Sequence, residues 1–119
     1  MRPRLLAAVL GLSAAFDLLV AALLFFAPGL QAANFGVQLT SDVLFLGQVL
    51  GGFTLYFTAV CAYAAVLAWR SRPAAHALAR IAGVFLLLTG AGFYWRLGNP
   101  QFLLLDSFRG AIFIALTFC

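Results

Sequence analysis

Three ionisable side chains stand inside long apolar runs of this 119-residue chain: Asp17, Asp106 and Arg109. At the centre of a bilayer such a group costs roughly 2.5–3.5 kcal/mol on insertion scales, so each needs a partner or a purpose. Two chemistries fit. One is a carboxylate that releases and regains a proton and so couples a proton to a substrate. The other is a clamp, an ion pair that fixes how helices meet. At a rise of about 1.5 Å per residue, Asp17 lies about 15 Å and Arg109 about 12 Å below the outer ends of their runs, close enough in depth to pair. Asp106 precedes Arg109 by one helical turn, so it could share that arginine or reach Arg96. Asp42 could also meet Arg96, and Gln48 could join the same group. Acid and base are nearly balanced at one depth, which favours an intramembrane polar network of Asp17, Gln48, Arg96, Asp106 and Arg109 acting as a clamp.

Other chemistry is thinly represented. The single histidine, His76, sits beside Arg70 and Arg72, away from any acid. One histidine cannot ligate a haem from both sides, and no His, Cys and carboxylate spacing suits zinc or iron. Ser13, Ser107 and the threonines have no base nearby, and hydroxyls in such helices commonly bond to a carbonyl of the preceding turn. Cys61 reads as a small buried hydrophobe. Cys119 is the last residue and no lipidation motif surrounds it. The expectation is no metal, no cofactor and no catalytic group.

The elements that must position these residues follow from composition. Hydrophobic residues make up 66% of the chain and charged residues 8%, against about a quarter charged in a soluble domain. Most of the surface must therefore face lipid. Crossing about 30 Å of hydrocarbon takes about 20 helical residues. Four spans are predicted, about 5–27, 42–69, 77–95 and 101–119, in a single membrane domain covering 1–119. The fold class is all-α, an antiparallel bundle of four transmembrane helices. No segment alternates as a membrane β-strand would. The first apolar run resumes after Asp17 and is about twice the length of a signal-peptide core, so it reads as a retained span. Pro28-Gly29 closes that span, and residues 29–41 read as a loop. Arg70-Ser71-Arg72-Pro73 and Gly98-Asn99-Pro100 make the other breaks.

All seven basic residues are arginines. Arg2 and Arg4, with Arg70, Arg72 and Arg80, flank one side, and only Arg96 flanks the other. The positive-inside rule then puts both termini in the cytoplasm. The net charge of +4 forms no stripe that phosphates could follow, so nucleic acid is not an expected partner. Gly47, Gly51, Gly52, Gly83 and Gly90 are expected to let helices pack closely.

Gly51-Gly52, the segment Phe93-Tyr94-Trp95-Arg96-Leu97-Gly98, and Asp106 with Gly110 resemble a pattern found in small bacterial four-helix inner-membrane proteins of a family of unknown function. That resemblance implies four helices and a bacterial inner membrane, and it implies no activity. Asp17, midway along the first span, is also similar to the lone carboxylate of small multidrug exporters. That group uses a glutamate there, and Phe85 to Gly92 lacks its tryptophan-containing motif. The functional expectation is a non-catalytic subunit or accessory protein of a larger membrane complex, with the lipid bilayer and other membrane subunits or further copies of the chain as partners. The alternative is a proton-coupled transporter that acts as a dimer through Asp17. A lipid- or quinone-handling enzyme comes third.

Overall fold

The computed structural model describes residues 2–118, so the expectation for Cys119 lies outside the described residues. The chain is helical nearly throughout: α1 (Arg2–Phe26), α2 (Pro28–Phe35), α3 (Ser41–Trp69), α4 (Ala74–Leu97), a π-helical stretch (Leu103–Phe108) and α5 (Arg109–Phe118). Three of these helices are long and apolar enough to cross a membrane: Pro3–Phe26, Ser41–Trp69 and Ala74–Leu97. The fourth predicted span is a continuous helical run over 101–118, of which Leu103–Phe108 is π-helical.

Local chemistry sets the boundaries. Thr40 caps α3 by accepting a hydrogen bond from the Val43 N–H at 3.2 Å, which satisfies one of the donors a helix start leaves free. Gly98 ends α4 in the left-handed conformation, with φ 70°. The loop predicted over 29–41 is instead partly helical. Pro28 opens α2, where its missing N–H costs nothing. Gly36 closes α2 at φ 76°, its N–H reaching the carbonyls of Ala32 and Ala33. The Asn99 side chain donates to the Asn34 carbonyl at 3.5 Å, tying α2 to the turn after α4.

The long helices form a closed ring: α1 lies along α3, α3 against α4, α4 against the π stretch and α5, and α5 returns to α1. One half of the ring is solid. Leu6, Leu10 and Ala14 meet Cys61, Ala64 and Ala68 of α3, Ala75, Ala79, Ala82 and Leu86 of α4, and Phe113 of α5. Alanine dominates this half, so the helices approach closely with little side chain between them.

The tightest approach joins α4 to the last helical run. A Cβ on Gly83 would stand 2.7 Å from the Gly110 carbonyl oxygen, and one on Gly110 would meet the Gly83 carbonyl in turn. A Cβ on Gly90 would meet Ser107 and the Phe102 carbonyl. Gly51 packs differently, against the Phe25 ring and Leu24 of α1. Two of the expected packing glycines make no close approach within the chain. At Gly47 a Cβ would make only ordinary contact, at 3.9 Å from Leu24, and Gly52 faces open space. Glycine spacing marks a smooth helix face without saying which way that face turns.

Candidate functional site

Ser13 and Asp17 lie one turn apart on α1 and are both buried. Arg109 begins α5 and extends across to them. Its Nη1 donates to Asp17 Oδ1 at 3.0 Å and also to the Ser13 hydroxyl and carbonyl. Its Nη2 donates to Asp106 Oδ1 at 3.2 Å. Its Nε donates to the Leu105 carbonyl at 2.9 Å. All three guanidinium nitrogens are therefore engaged, and the Phe16 ring lies 5.2 Å from the guanidinium carbon. A planar fork with fixed donors suits this task, where a lysine would offer only a point charge.

The π-helical stretch holds Asp106 and the carbonyl that receives Nε. Such stretches widen a helix by one residue per turn and often sit at functional positions. Ser107, in the same stretch, donates its hydroxyl to the Leu87 carbonyl at 3.1 Å and ties it to α4.

The other half of the ring is hollow. A cavity of about 230 Å³ lies there, and Asp17, Asp106 and Arg109 are among its lining residues. Seven phenylalanines line it: Phe16, Phe35, Phe53, Phe57, Phe85, Phe93 and Phe102. Mutual ring contacts hold several of them, with Phe35 edge-on to Phe102 at 5.3 Å and Phe57 stacked on Phe85 at 5.2 Å. Gln31, Asn34 and Gln101 add amides from α2 and the start of the last helical run. Among the described residues, one fully buried side-chain atom has no hydrogen-bond partner: Asp17 Oδ2.

Three of the five residues expected in the polar network thus come together, and two do not. Gln48 is exposed on the outer side of α3. Arg96 is exposed at the end of α4, and among the described residues no acid pairs with it. Asp42 is exposed as well. Depth along a helix was the basis for grouping them, and depth does not fix direction. Ser13 is a member that sequence reasoning missed. Its position four residues before Asp17, on the same helix face, was the available signal. Among the described residues, no group of three or more His, Cys, Asp or Glu side chains could hold a metal ion.

The fold and site define an all-helical protein, with three helices able to cross a membrane by length and composition, built around an arginine shared by two acids. Comparison with protein-family models, curated proteins and solved structures finds no match. The resemblances drawn above therefore rest on their short motifs alone.

Proposed function

We propose that this chain is a non-catalytic subunit or accessory protein of a larger assembly in a bacterial inner membrane, crossing the bilayer four times with both termini in the cytoplasm. The observation that carries this reading lies on α3. Phe45, Gln48, Gly52, Tyr56, Ala59 and Tyr63 recur every three or four residues, so they share one face, and all six are exposed. Tyr56 stands near the middle of α3 and is 73% exposed. A hydroxyl without a partner in an apolar medium costs roughly 1–3 kcal/mol on mutational scales. Gly52 beside it leaves room for another backbone. Small residues flanked by hydroxyl and amide groups are what neighbouring helices use in lipid, where apolar burial alone gives no advantage. The face suits a transmembrane helix that offers small residues and a hydrogen-bond acceptor.

The Arg109 cluster fits a structural role inside this subunit. Arg109 Nη1 holds α1 through Ser13 and Asp17, while Nε and Nη2 are held by Leu105 and Asp106 of its own helical run. Solubilising native membranes in mild detergent tests the reading: the wild-type chain should co-migrate with other membrane subunits, and Gly52→Leu should release it as a folded monomer. A wild type that runs alone at monomer size would overturn the proposal. A homodimer would replace the heteromeric partner with a second copy. For the topology, a label should reach residues 29–41 from outside intact cells and Ser71 only after permeabilisation.

A specific observation keeps the transporter as a second reading: Asp17 borders a cavity and one of its carboxylate oxygens is unbonded. A proton-coupled carboxylate must change its ionisation during the cycle, whereas a clamp carboxylate need not. Under that reading substrate addition releases protons from the wild type in detergent, and Asp17→Asn abolishes the release.

A further inference from the structure

We infer that two adjoining cavities form one binding site for an uncharged lipophile with an aromatic head, a carbonyl group and an aliphatic tail, the carbonyl received by Gln31. A smaller cavity, of about 190 Å³, lies against the one described above. Gln31, Phe35, Leu50 and Phe93 border both, so single side chains divide them. The linings differ. Phe35 and Phe93, on the boundary, are the rings of the smaller cavity, and Leu24, Leu39, Val43 and Leu46 lie beyond them. The larger cavity adds five further rings on its own side of the boundary. One side suits a flat unsaturated group and the other an alkyl chain.

Gln31 stands between them with a donor to spare. It is 5% exposed. Its Oε1 accepts from Asn34 Nδ2 at 2.9 Å, and among the described residues its Nε2 has no hydrogen-bond partner. The unpartnered side-chain atom that is sealed from all open space is Asp17 Oδ2, so Gln31 Nε2 keeps some accessible surface. On a residue this buried, bordering both cavities, that surface lies within them. A buried amide donor left unused carries a desolvation cost that an acceptor relieves. Apolar walls give a water too few partners to do the same.

Charge and hydrogen bonding select the ligand's polar group. Two carboxylates share one guanidinium on the wall of the larger cavity, so with both acids ionised an anionic ligand is repelled. An alcohol brings a donor of its own, and the Oε1 of Gln31 is already taken. A ketone or ester carbonyl brings acceptors only. Size agrees, since an apolar cavity of about 150 Å³ admits benzene. One ring fits the larger cavity of about 230 Å³ and a short alkyl chain fits the smaller. The site is complete within one chain, whatever assembly the chain joins.

Calorimetric titration of the full chain in detergent, against a detergent blank, tests the site with butyl phenyl ketone. Pentylbenzene is the same body without the carbonyl, and methyl phenyl ketone is the head without the tail. The wild type should bind butyl phenyl ketone saturably at one site per chain. Pentylbenzene should bind roughly twofold to tenfold more weakly, the difference made by one neutral hydrogen bond. Gln31→Met should remove that preference. That variant also loses the Asn34 bond, so two space-filling variants stand beside it. Gly47→Leu puts a side chain into the smaller cavity. It should weaken butyl phenyl ketone by roughly tenfold, as overpacking does, and leave methyl phenyl ketone unchanged. Thr54→Phe fills the larger cavity and should abolish binding of both ketones while the protein still elutes as a single folded species. A folded wild type that does not bind butyl phenyl ketone would overturn the assignment. So would equal affinity for pentylbenzene, a carbonyl preference that survives Gln31→Met, or butyl phenyl ketone binding unmoved by Gly47→Leu.

Discussion

Two polar regions of this molecule make opposite use of the same kind of residue. Inside the ring, Asp17, Asp106 and Ser13 all turn towards Arg109, and each of its three nitrogens makes a hydrogen bond. On the outer side of α3, Gln48, Tyr56 and Tyr63 turn away from the protein, among apolar neighbours. The inner group binds the chain to itself. Among the described residues, the outer group has no side-chain hydrogen-bond partner in its own chain. In lipid, where apolar contact does little to choose partners, the direction of the polar residues separates what holds a bundle together from what it presents to others.

If that contrast is correct, substitutions should divide into those that damage folding and those that damage only association. The largest effect is expected at Arg109. Arg109→Leu strands two carboxylates, and removing one partner of a buried pair costs about 3–5 kcal/mol. Loss of the folded species on heating in detergent measures this. Replacing Asp17, Asp106 and Arg109 together with leucine should recover much of the loss, because no charge is then left bare. Failure of Arg109→Leu to lower the midpoint would mean that the cluster does not clamp the helices.

Next comes the contact between α4 and α5. Gly110→Leu would drive a side chain into the Gly83 carbonyl and the Leu86 Cβ. Backbone atoms cannot move aside as a flexible side chain can, and overpacking of this kind typically costs about 1–3 kcal/mol. Gly51→Ala is expected to cost less, because its neighbour is the Phe25 ring, which can shift. The same denaturation assay ranks the two, and equal losses would remove the distinction between backbone and side-chain contact. The smallest effect on folding belongs to Gly52→Ala. Its Cβ would enter open space, and alanine is favoured over glycine within a helix by about 1 kcal/mol. Stability should hold or rise slightly.

The sequence carried the depth of each residue and little of its direction. Constant helical rise put Asp17 and Arg109 at one level, and they meet. The same arithmetic drew in Gln48 and Arg96, which face outward. Soluble helices reveal their buried side through an apolar stripe. Here α1, α3 and α4 are apolar nearly all round, so no stripe distinguishes the lipid side from the interior. The π-helical turn has no local signature in Leu103–Phe108, and its widened geometry decides where Asp106 stands. The α2 helix was legible. Pro28 and Gly36 are start and stop signals eight residues apart, and the loop reading over 29–41 passed over them.

The outward face of α3 is tested most directly by photo-crosslinking in native membranes. A photoreactive amino acid is introduced singly at successive positions from Phe45 to Val66, and protein adducts are separated from lipid adducts. Protein adducts should recur at positions 45, 48, 52, 56, 59 and 63, with one partner captured throughout. Positions 46, 53 and 60, on other faces of α3, should give lipid or nothing. Lipid adducts at all of the first six positions, with no protein captured at any, would contradict the assignment of this face to a neighbouring helix.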